Sequence, residues 1–323
     1  MEILSDIYRT PRTSIHVAKY KSLTGALKCY DLTKYNHPTD IYNEIDIGFK
    51  LRHKHIITYY FSEIYDTHIN IFMEYCSYGD LIDFMRICPK IDEYIIHTKI
   101  VVPLLYAIQY LHKREIIHKD IKPENILIDS IGNIRLTDFE SAVYKNKRVP
   151  NKIAGTLEFM APEIIKMTLL PYQQLQLINY PLYDERVDIW SIGILAYELI
   201  YRITPFYDRN NIRVKFNILR SPIEFQFKPG YSRDIISFLL TVLDKNNRPF
   251  IDTILKHPWV TREKKNSFTR KANSMPNLQT HNKPSKLNSK KLLEKFPSMF
   301  NIKNEESWYK YIKNILYRKI KPA

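Results

Sequence analysis

Apolar and polar residues alternate in the first part of the chain as they do in short, half-buried β-strands, and their spacing becomes helical further on. Residues 69–76 are almost continuously apolar, which indicates a strand buried within a sheet. The other predicted elements are a hairpin and third strand within 6–31 with a turn at Thr24-Gly25, a helix at 41–47, two helices within 81–113, and strands at 126–128 and 134–137.

Residues 118–125, of sequence HKDIKPEN, carry three polar groups of complementary chemistry on one short segment. Asp120 can accept a hydrogen bond from a substrate hydroxyl, Lys122 can neutralise charge on a phosphoryl group, and Asn125 can hold a divalent metal ion. A polar turn before the next strand would account for any one of these residues, but not for all three at these spacings. The segment resembles the catalytic loop of eukaryotic-type protein kinases.

This resemblance covers residues 6–260 and implies an α+β, two-lobed protein kinase fold with a small β-rich N-lobe and a larger α-helical C-lobe. A chain of 323 residues with 45% hydrophobic content can bury the core that such a fold needs. The expected division is an N-lobe at about 1–73, a hinge at 74–80, a C-lobe at 81–260, a basic flexible linker at 261–290 and a short basic helical tail at 291–323.

The resemblance also implies ATP and Mg²⁺ as cofactors. Lys28, in Ala26-Leu27-Lys28, matches the lysine of the third kinase strand, and an ion pair with Glu44 would hold it toward the α- and β-phosphates. An exposed strand lysine is the alternative interpretation of Lys28 taken alone. Met73 matches the gatekeeper position. The expected nucleotide-binding residues are Ile7, Tyr8, Thr10, Thr13, Ile15, Ala26, Lys28, Glu44, Glu74, Cys76, Asp80 and Leu127, and the expected metal ligands are Asn125 and Asp138.

Further motifs match the C-lobe of the family. Lys122 two positions after Asp120, together with Thr156 before the end of the activation segment, is typical of serine/threonine specificity, so Asp120, Lys122 and Thr156 are the expected catalytic residues. Structural roles are implied as well: a buried Glu163–Arg248 ion pair, Asp188 bracing the catalytic loop, and His257-Pro258-Trp259 closing the domain.

Two departures from the kinase pattern concern the nucleotide site. Residues 1–24 contain no glycine, and the three positions of the glycine-rich loop hold Tyr8, Thr10 and Thr13, so this hairpin should approach phosphates less closely than glycine permits. Glu140 replaces the glycine that follows Asp-Phe in the family. Its carboxylate could touch a second metal ion, but we expect it to face solvent or to form a local salt bridge.

Two further departures concern regulation and packing. Lys119 replaces an arginine that grips an activation-loop phosphate in many kinases, and lysine cannot reproduce that bidentate fork, so phosphate-triggered activation is not expected. Gly48 stands where the family has a bulky apolar residue, and Tyr59 is expected to fill the gap.

These departures leave a second hypothesis open, a pseudokinase that acts as a binding scaffold with weak or no catalysis. A scaffold has no chemical need for the full set of catalytic and binding residues, which favours an active serine/threonine kinase. The residues that argue for activity are Lys28, Glu44, Asp120, Lys122, Asn125 and Asp138.

Charge and composition indicate partners and location. Residues 261–323 carry a net charge of +12 out of +15 for the chain, so this basic tail is expected to contact an anionic surface, either nucleic acid or membrane, or the kinase domain itself. The protein substrate is expected to be basic around its acceptor, because Asp80, Glu124 and Glu198 match positions that surround an arginine in basophilic relatives. Glu198 commonly has a structural role instead.

The three cysteines have no metal-ligand spacing and are odd in number, which favours a reducing compartment. The N-terminus has neither a basic start nor an apolar core region, and the sequence has no apolar run long enough to span a bilayer. We therefore expect an intracellular protein, cytoplasmic or nuclear, without a transmembrane segment.

Overall fold

Strands dominate the N-terminal part of the chain and helices the remainder. The computed structural model describes residues 1–35, 38–145, 153–171, 183–226 and 228–262. Its strands are β1 (Glu2–Arg9), β2 (Thr13–Tyr20), β3 (Leu23–Asp31), β4 (Tyr59–Ile64), β5 (His68–Met73), β6 (Ile116–Ile117), β7 (Ile126–Ile128), β8 (Ile134–Leu136) and β9 (Val143–Tyr144). Its helices are α1 (Thr39–Gly48), α2 (Leu81–Ile87), α3 (Glu93–His112), α4 (Pro162–Met167), α5 (Arg186–Tyr201), α6 (Asn211–Arg220), α7 (Arg233–Val242), α8 (Ile251–Ile254) and α9 (Pro258–Thr261).

The first five strands form one antiparallel sheet in the order β1-β2-β3-β5-β4. Alternation along β3 divides its side chains between the two faces of the sheet. Leu27 packs on one face in a cluster with Ala18 and Phe72, while Lys28 is directed to the opposite face. The same register places Ile15 beside Lys28 and Met73 beside Ala26, so these residues line the face that looks toward the helical part.

The predicted turn at Thr24-Gly25 is wrong. The chain turns between β2 and β3 at Lys21, whose φ of +55° lies in the left-handed region. Gly25 lies within β3, where an added Cβ would stand 2.4 Å from the Phe72 ring. This glycine therefore serves close packing against β5 and not chain reversal.

The helical part is built around α5, which is buried along almost its whole length. Trp190 of this helix is fully buried and stacks on Phe206 at a centroid distance of 5.8 Å. Helix α3 is long and apolar enough to cross a membrane by length and composition, but most of it is buried inside the fold, in the position of a core helix.

Two predicted structural contacts are present in the helical part. Arg248 donates to both carboxylate oxygens of Glu163, at 2.8 and 3.3 Å. Trp259, at the end of the domain, is fully buried and its indole nitrogen donates to Glu93 at 2.9 Å. These contacts tie α4 and α9 to the body of the domain. The predictions for residues 263–323 lie outside the described residues, as do residues 172–182.

Candidate active site

Lys28 occupies the centre of a buried cluster of charges beneath the sheet. Its ammonium group lies 3.0 and 3.1 Å from the two carboxylate oxygens of Glu44 and 3.1 Å from Oδ1 of Asp138. The predicted Lys28–Glu44 pair is therefore present, and the interpretation of Lys28 as an exposed strand lysine is wrong, because the residue is only 8% exposed.

The pKa values in this cluster are coupled through Lys28. Burial acts to lower the pKa of Lys28, but the charges of Asp138 and Glu44 outweigh it and hold that pKa well above its usual value. Burial acts to raise the pKa of Asp138, yet the charge and hydrogen bond of Lys28 hold it below the usual range. Both groups are thus charged at neutral pH.

Two tyrosines complete the surroundings of Glu44. The Tyr59 hydroxyl donates to Oε1 of Glu44 at 2.8 Å, and the Tyr30 hydroxyl donates to Oε2. Tyr59 also fills the space beside Gly48 as predicted, since a Cβ at Gly48 would stand 2.8 Å from the tyrosine ring. Its ring meets that of Phe139 edge to face at 6.4 Å, which links helix α1 to the segment that carries Asp138.

The catalytic-loop residues converge on the carboxylate of Asp120. One oxygen of this carboxylate accepts from the backbone N–H and the hydroxyl of Thr156, at 3.0 and 3.1 Å. The other oxygen lies 2.8 Å from the Lys122 ammonium and accepts from the Asn125 amide at 3.0 Å. Lys122 also donates to the Thr156 hydroxyl at 2.9 Å, so all three predicted catalytic residues meet at one point.

The catalytic loop owes its shape to Asp188 at the start of α5. This carboxylate accepts from the backbone N–H groups of His118 and Lys119 at 3.0 and 2.9 Å, and from the His112 ring at 2.9 Å. Burial acts to raise the pKa of Asp188, but the His112 hydrogen bond leads the interactions that hold it below its usual value. The predicted brace is therefore present.

Close approach of the activation segment to the catalytic loop requires Gly155. Its φ is +110°, and an added Cβ would stand 2.6 Å from the carbonyl oxygen of Lys119. Left-handed backbone also occurs at the non-glycine residues Lys119 and Asp138, with φ of +70° and +67°. Such backbone costs energy and is concentrated where geometry serves function.

Asn125 and Asp138 offer oxygen atoms of the kind that Mg²⁺ prefers. The amide nitrogen of Asn125 is committed to Asp120, which leaves its oxygen for a ligand role. Asp138 presents a deprotonated carboxylate. This donor set fits a magnesium ion, which would supply positive charge to offset that of phosphate groups.

The carboxylate of Glu140 does not simply face solvent but turns toward the charge cluster. Ligand-type oxygens of Glu44, Asp138 and Glu140 lie within 4.8 Å of one another, and Glu140 is half-buried. Burial, opposed by Lys28 and supported by Asp138 and Glu44, raises the pKa of Glu140.

The predicted nucleotide-binding residues lie along the sheet face and the segment that follows β5. Ile15, Ala26 and Lys28 share one face of the sheet through their register. Beyond β5, Asp80 forms a β-bridge with Leu127, which joins the hinge to β7. Glu74 is fixed by Arg135, whose Nε donates to it at 2.9 Å, and Cys76 is buried.

Asp80 is engaged in a second role, since one of its carboxylate oxygens caps helix α2 by accepting from the Asp83 N–H at 2.8 Å. The predicted contact of Asp80 with the nucleotide would therefore use its other carboxylate oxygen.

The hairpin between β1 and β2 has its own ordered turn in place of glycines. The Thr10 hydroxyl accepts from the Thr13 N–H at 2.9 Å and donates to the Thr13 carbonyl at 3.1 Å. The Thr13 hydroxyl is bonded to that of Tyr35 at 3.1 Å. Ile7 and Tyr8 lie on β1 with exposed side chains. A threonine-stabilised turn thus takes the place of the missing glycine loop.

Comparisons with known proteins agree with this geometry. The family model described as "Protein kinase domain" matches residues 14–260. The Aurora kinase of Schizosaccharomyces pombe is 31% identical over 266 residues, which cover 80% of this chain and 70% of the relative. Serine/threonine-protein kinase Aurora-2 of Arabidopsis thaliana is 32% identical over 224 residues, with 68% and 73% covered, and Aurora kinase C of Mus musculus is 32% identical over 220 residues, with 67% and 74% covered.

The chain belongs to the protein kinase family, and its fold is the two-lobed kinase fold. Within that family it is a serine/threonine protein kinase, and the pseudokinase alternative is not favoured.

Two groups beside the Lys28–Glu44–Asp138 cluster are not among the expected binding residues. They are the Tyr30 hydroxyl and the Glu140 carboxylate. Tyr30 could have been found, because it lies two residues after Lys28 on the same strand and therefore on the same face of the sheet. For Glu140 the sequence leaves contact with a metal ion only as an alternative, because local pattern does not determine which way this side chain points.

Proposed function

We propose that this kinase transfers the γ-phosphate of ATP to a protein serine or threonine hydroxyl, with Asp120 orienting the hydroxyl and accepting its proton. The observation that carries the proposal is the carboxylate of Asp120, whose two oxygens are fixed by Thr156 on one side and by Lys122 and Asn125 on the other. A carboxylate held in this way meets a substrate hydroxyl without first having to reorganise.

The remaining predicted residues have matching roles in this proposal. Lys28, held by Glu44, would contact the α- and β-phosphates, and Lys122 would offset charge on the transferred group. Asn125 and Asp138 would hold Mg²⁺. Adenine would lie between the sheet face and Leu127, with backbone groups of Glu74 and Cys76 at its edge. Ile7, Tyr8, Thr10 and Thr13 would cover the phosphates.

A transfer assay on the purified full-length chain tests the proposal. Incubation with γ-labelled ATP, Mg²⁺ and a generic basic protein should label serine or threonine in the substrate, as seen by phosphoamino-acid analysis. Label on tyrosine alone would contradict the proposed specificity. Complete absence of label, under conditions where the chain binds ATP, would favour the scaffold hypothesis.

The substrate should be basic on the N-terminal side of its acceptor. Glu198, on α5, has a buried Oε2 atom with no hydrogen-bond partner among the described residues. Burial, supported by the nearby charges of Glu124 and Glu158 and opposed by Arg202, raises the pKa of Glu198 to about 7. Three acidic groups so close together favour binding of a cation, and an arginine side chain of a substrate would supply it.

This arrangement predicts that the preference for arginine depends on pH. A carboxylate with a folded-state pKa of about 7 is neutral below that value and charged above it, so attraction to arginine should grow between pH 6 and 8. We compare kcat/KM for an arginine-containing peptide with kcat/KM for its alanine counterpart. The ratio of the two values should rise roughly fivefold over this pH range, since a partly exposed ion pair contributes about 1 kcal/mol.

Comparing two peptides on one enzyme cancels the pH dependence of the chemical step. Glu198→Gln should flatten the ratio across this pH range, while Glu63→Gln, on β4, should leave it unchanged. A ratio independent of pH in the parent enzyme would remove Glu198 from substrate recognition.

We propose the predicted division into an N-lobe at about 1–73, a hinge at 74–80 and a C-lobe at 81–260. We also propose that the basic segments 261–290 and 291–323 contact an anionic surface or the kinase domain. An intracellular location, cytoplasmic or nuclear, is supported by three cysteines that form no disulfide bond.

A further inference from the structure

The carboxylate of Glu44 accepts more hydrogen bonds than an ion pair with lysine requires. Oε1 accepts from Lys28 and Tyr59, and Oε2 accepts from Lys28 and Tyr30. The side chain of Glu44 is fully buried, so donors from the described part of the chain, and not water, stabilise its charge. An ion pair with Lys28 alone would leave lone pairs of a buried carboxylate unsatisfied.

The three residues belong to three different elements of the N-terminal part. Glu44 lies on α1, Tyr30 on β3 and Tyr59 on β4. The two hydroxyls therefore connect the helix to the sheet independently of Lys28. The two hydroxyls bind different oxygens of the same carboxylate.

Helix α1 packs on the core through Ile41 and Ile47, and the Asn43 side chain donates to the Ala142 carbonyl at 2.6 Å. Gly48, one turn after Glu44, has no side chain with which to pack on the segment that carries Asp138. The Tyr59 ring takes that space and contacts Phe139, so one tyrosine supplies both the missing apolar contact and a hydrogen bond.

The activation segment has few hydroxyl groups that could carry a phosphate, and a lysine stands where the family has the phosphate-gripping arginine. Lys119, at the position of the phosphate-gripping arginine, is buried with its ammonium 5.1 Å from the centre of the Tyr183 ring. Between Glu140 and Thr156 the sequence has two hydroxyl side chains, Ser141 and Tyr144, and the Tyr144 hydroxyl accepts from Lys50 at 3.3 Å.

We propose that the hydroxyls of Tyr30 and Tyr59 clamp Glu44 and thereby hold helix α1 and Lys28 in the phosphate-binding position without a phosphate on the activation segment. The inference rests on the role proposed above for Lys28. The tyrosines act through Glu44 and are positioning residues. Burial and the charge of Glu44 raise the pKa of both hydroxyls well above the usual value, so they remain protonated donors across the physiological range.

Tyrosine-to-phenylalanine variants test the clamp, because they keep the buried rings and remove only the hydroxyls. Tyr30→Phe and Tyr59→Phe should each lower kcat and raise the KM for ATP, and the double variant should lose at least roughly tenfold in kcat/KM for ATP. The KM for the peptide should not change. Partial unfolding would lower the apparent kcat alone, so the rise in the KM for ATP distinguishes positioning from a loss of folded protein.

The matched control is Tyr60→Phe, which removes an exposed hydroxyl from the neighbouring position on β4. It should behave as the parent enzyme in every measurement. Phosphatase treatment of the parent enzyme, verified by mass spectrometry, should leave its activity unchanged. Loss of activity on dephosphorylation would overturn the proposal, as would a double variant with unaltered kinetics.

Direct binding of ATP–Mg²⁺, measured by calorimetry, separates this inference from the proposed function. If the parent enzyme binds ATP but transfers no phosphate, the catalytic proposal fails, while weaker ATP binding by the double variant still supports the clamp. If the double variant binds ATP as tightly as the parent enzyme, the clamp is wrong even when transfer is observed.

Discussion

Asp120→Asn is expected to lower the rate of phosphoryl transfer by roughly 10²- to 10⁴-fold while the fold persists. The substitution is nearly isosteric, and Thr156 can still donate to the remaining oxygen. It removes the negative charge that orients and deprotonates the substrate hydroxyl. Single-turnover transfer to a peptide, at saturating ATP, measures the loss directly.

The other oxygen of Asp120 faces donors from Lys122 and Asn125, so an amide nitrogen there would lose two hydrogen bonds. We therefore expect a decrease in stability of about 1 kcal/mol, visible in chemical denaturation. Asp66→Asn, in the exposed turn between β4 and β5, is the matched control and should change neither activity nor stability. An Asp120→Asn enzyme with parental turnover would exclude Asp120 as the catalytic base.

Lys28→Met should have the second-largest effect, and it should damage activity and stability together. The variant loses the proposed phosphate contact and leaves Glu44 and Asp138 close together without a shared cation. Removal of one partner from a buried ion pair typically costs about 3 to 5 kcal/mol. The tyrosine donors to Glu44 should keep the loss near the lower end of that range.

The stability deficit of Lys28→Met should depend on pH. In the parent protein the pKa of Asp138 is depressed, so this carboxylate contributes stability that is present above its unfolded-state pKa and is lost as pH falls through its folded-state pKa. Without Lys28 that contribution disappears. The deficit should therefore be full at neutral pH and shrink as pH falls to about 4 and below.

Two variants make the interpretation specific. Lys19→Met removes an exposed lysine from β2 and should change neither stability nor activity. Lys28→Met combined with Glu44→Gln should recover part of the stability, because a neutral amide tolerates burial better than an unpaired carboxylate, but should not recover activity. If the free energy of unfolding depended on pH in the same way for Lys28→Met and the parent protein, Lys28 would not be what lowers the pKa of Asp138.

Local periodicity and motif spacing predicted much of the site. Alternation along β3 placed Ala26 and Lys28 on one face, and helical spacing placed Glu44 on α1, so their pairing required only that helix and sheet pack together. Asp120, Lys122 and Asn125 meet because they share one short loop. The predicted turn at Thr24-Gly25 is wrong, because glycine serves both chain reversal and close packing and the sequence does not distinguish the two uses.

The sequence by itself determined the class of protein, because the spacing of catalytic residues within a loop or a strand survives in the linear order of the chain. Only the tertiary structure decided which groups from distant segments surround a buried charge. Tyr30 and Tyr59 meet Glu44 from two strands that lie on either side of it in the chain, and the Glu140 carboxylate lies within 4.8 Å of oxygens of Glu44 and Asp138. The periodicity of a strand or helix determines the face on which a side chain lies. Which groups from other segments it contacts on that face depends on how all the elements that share the core pack together.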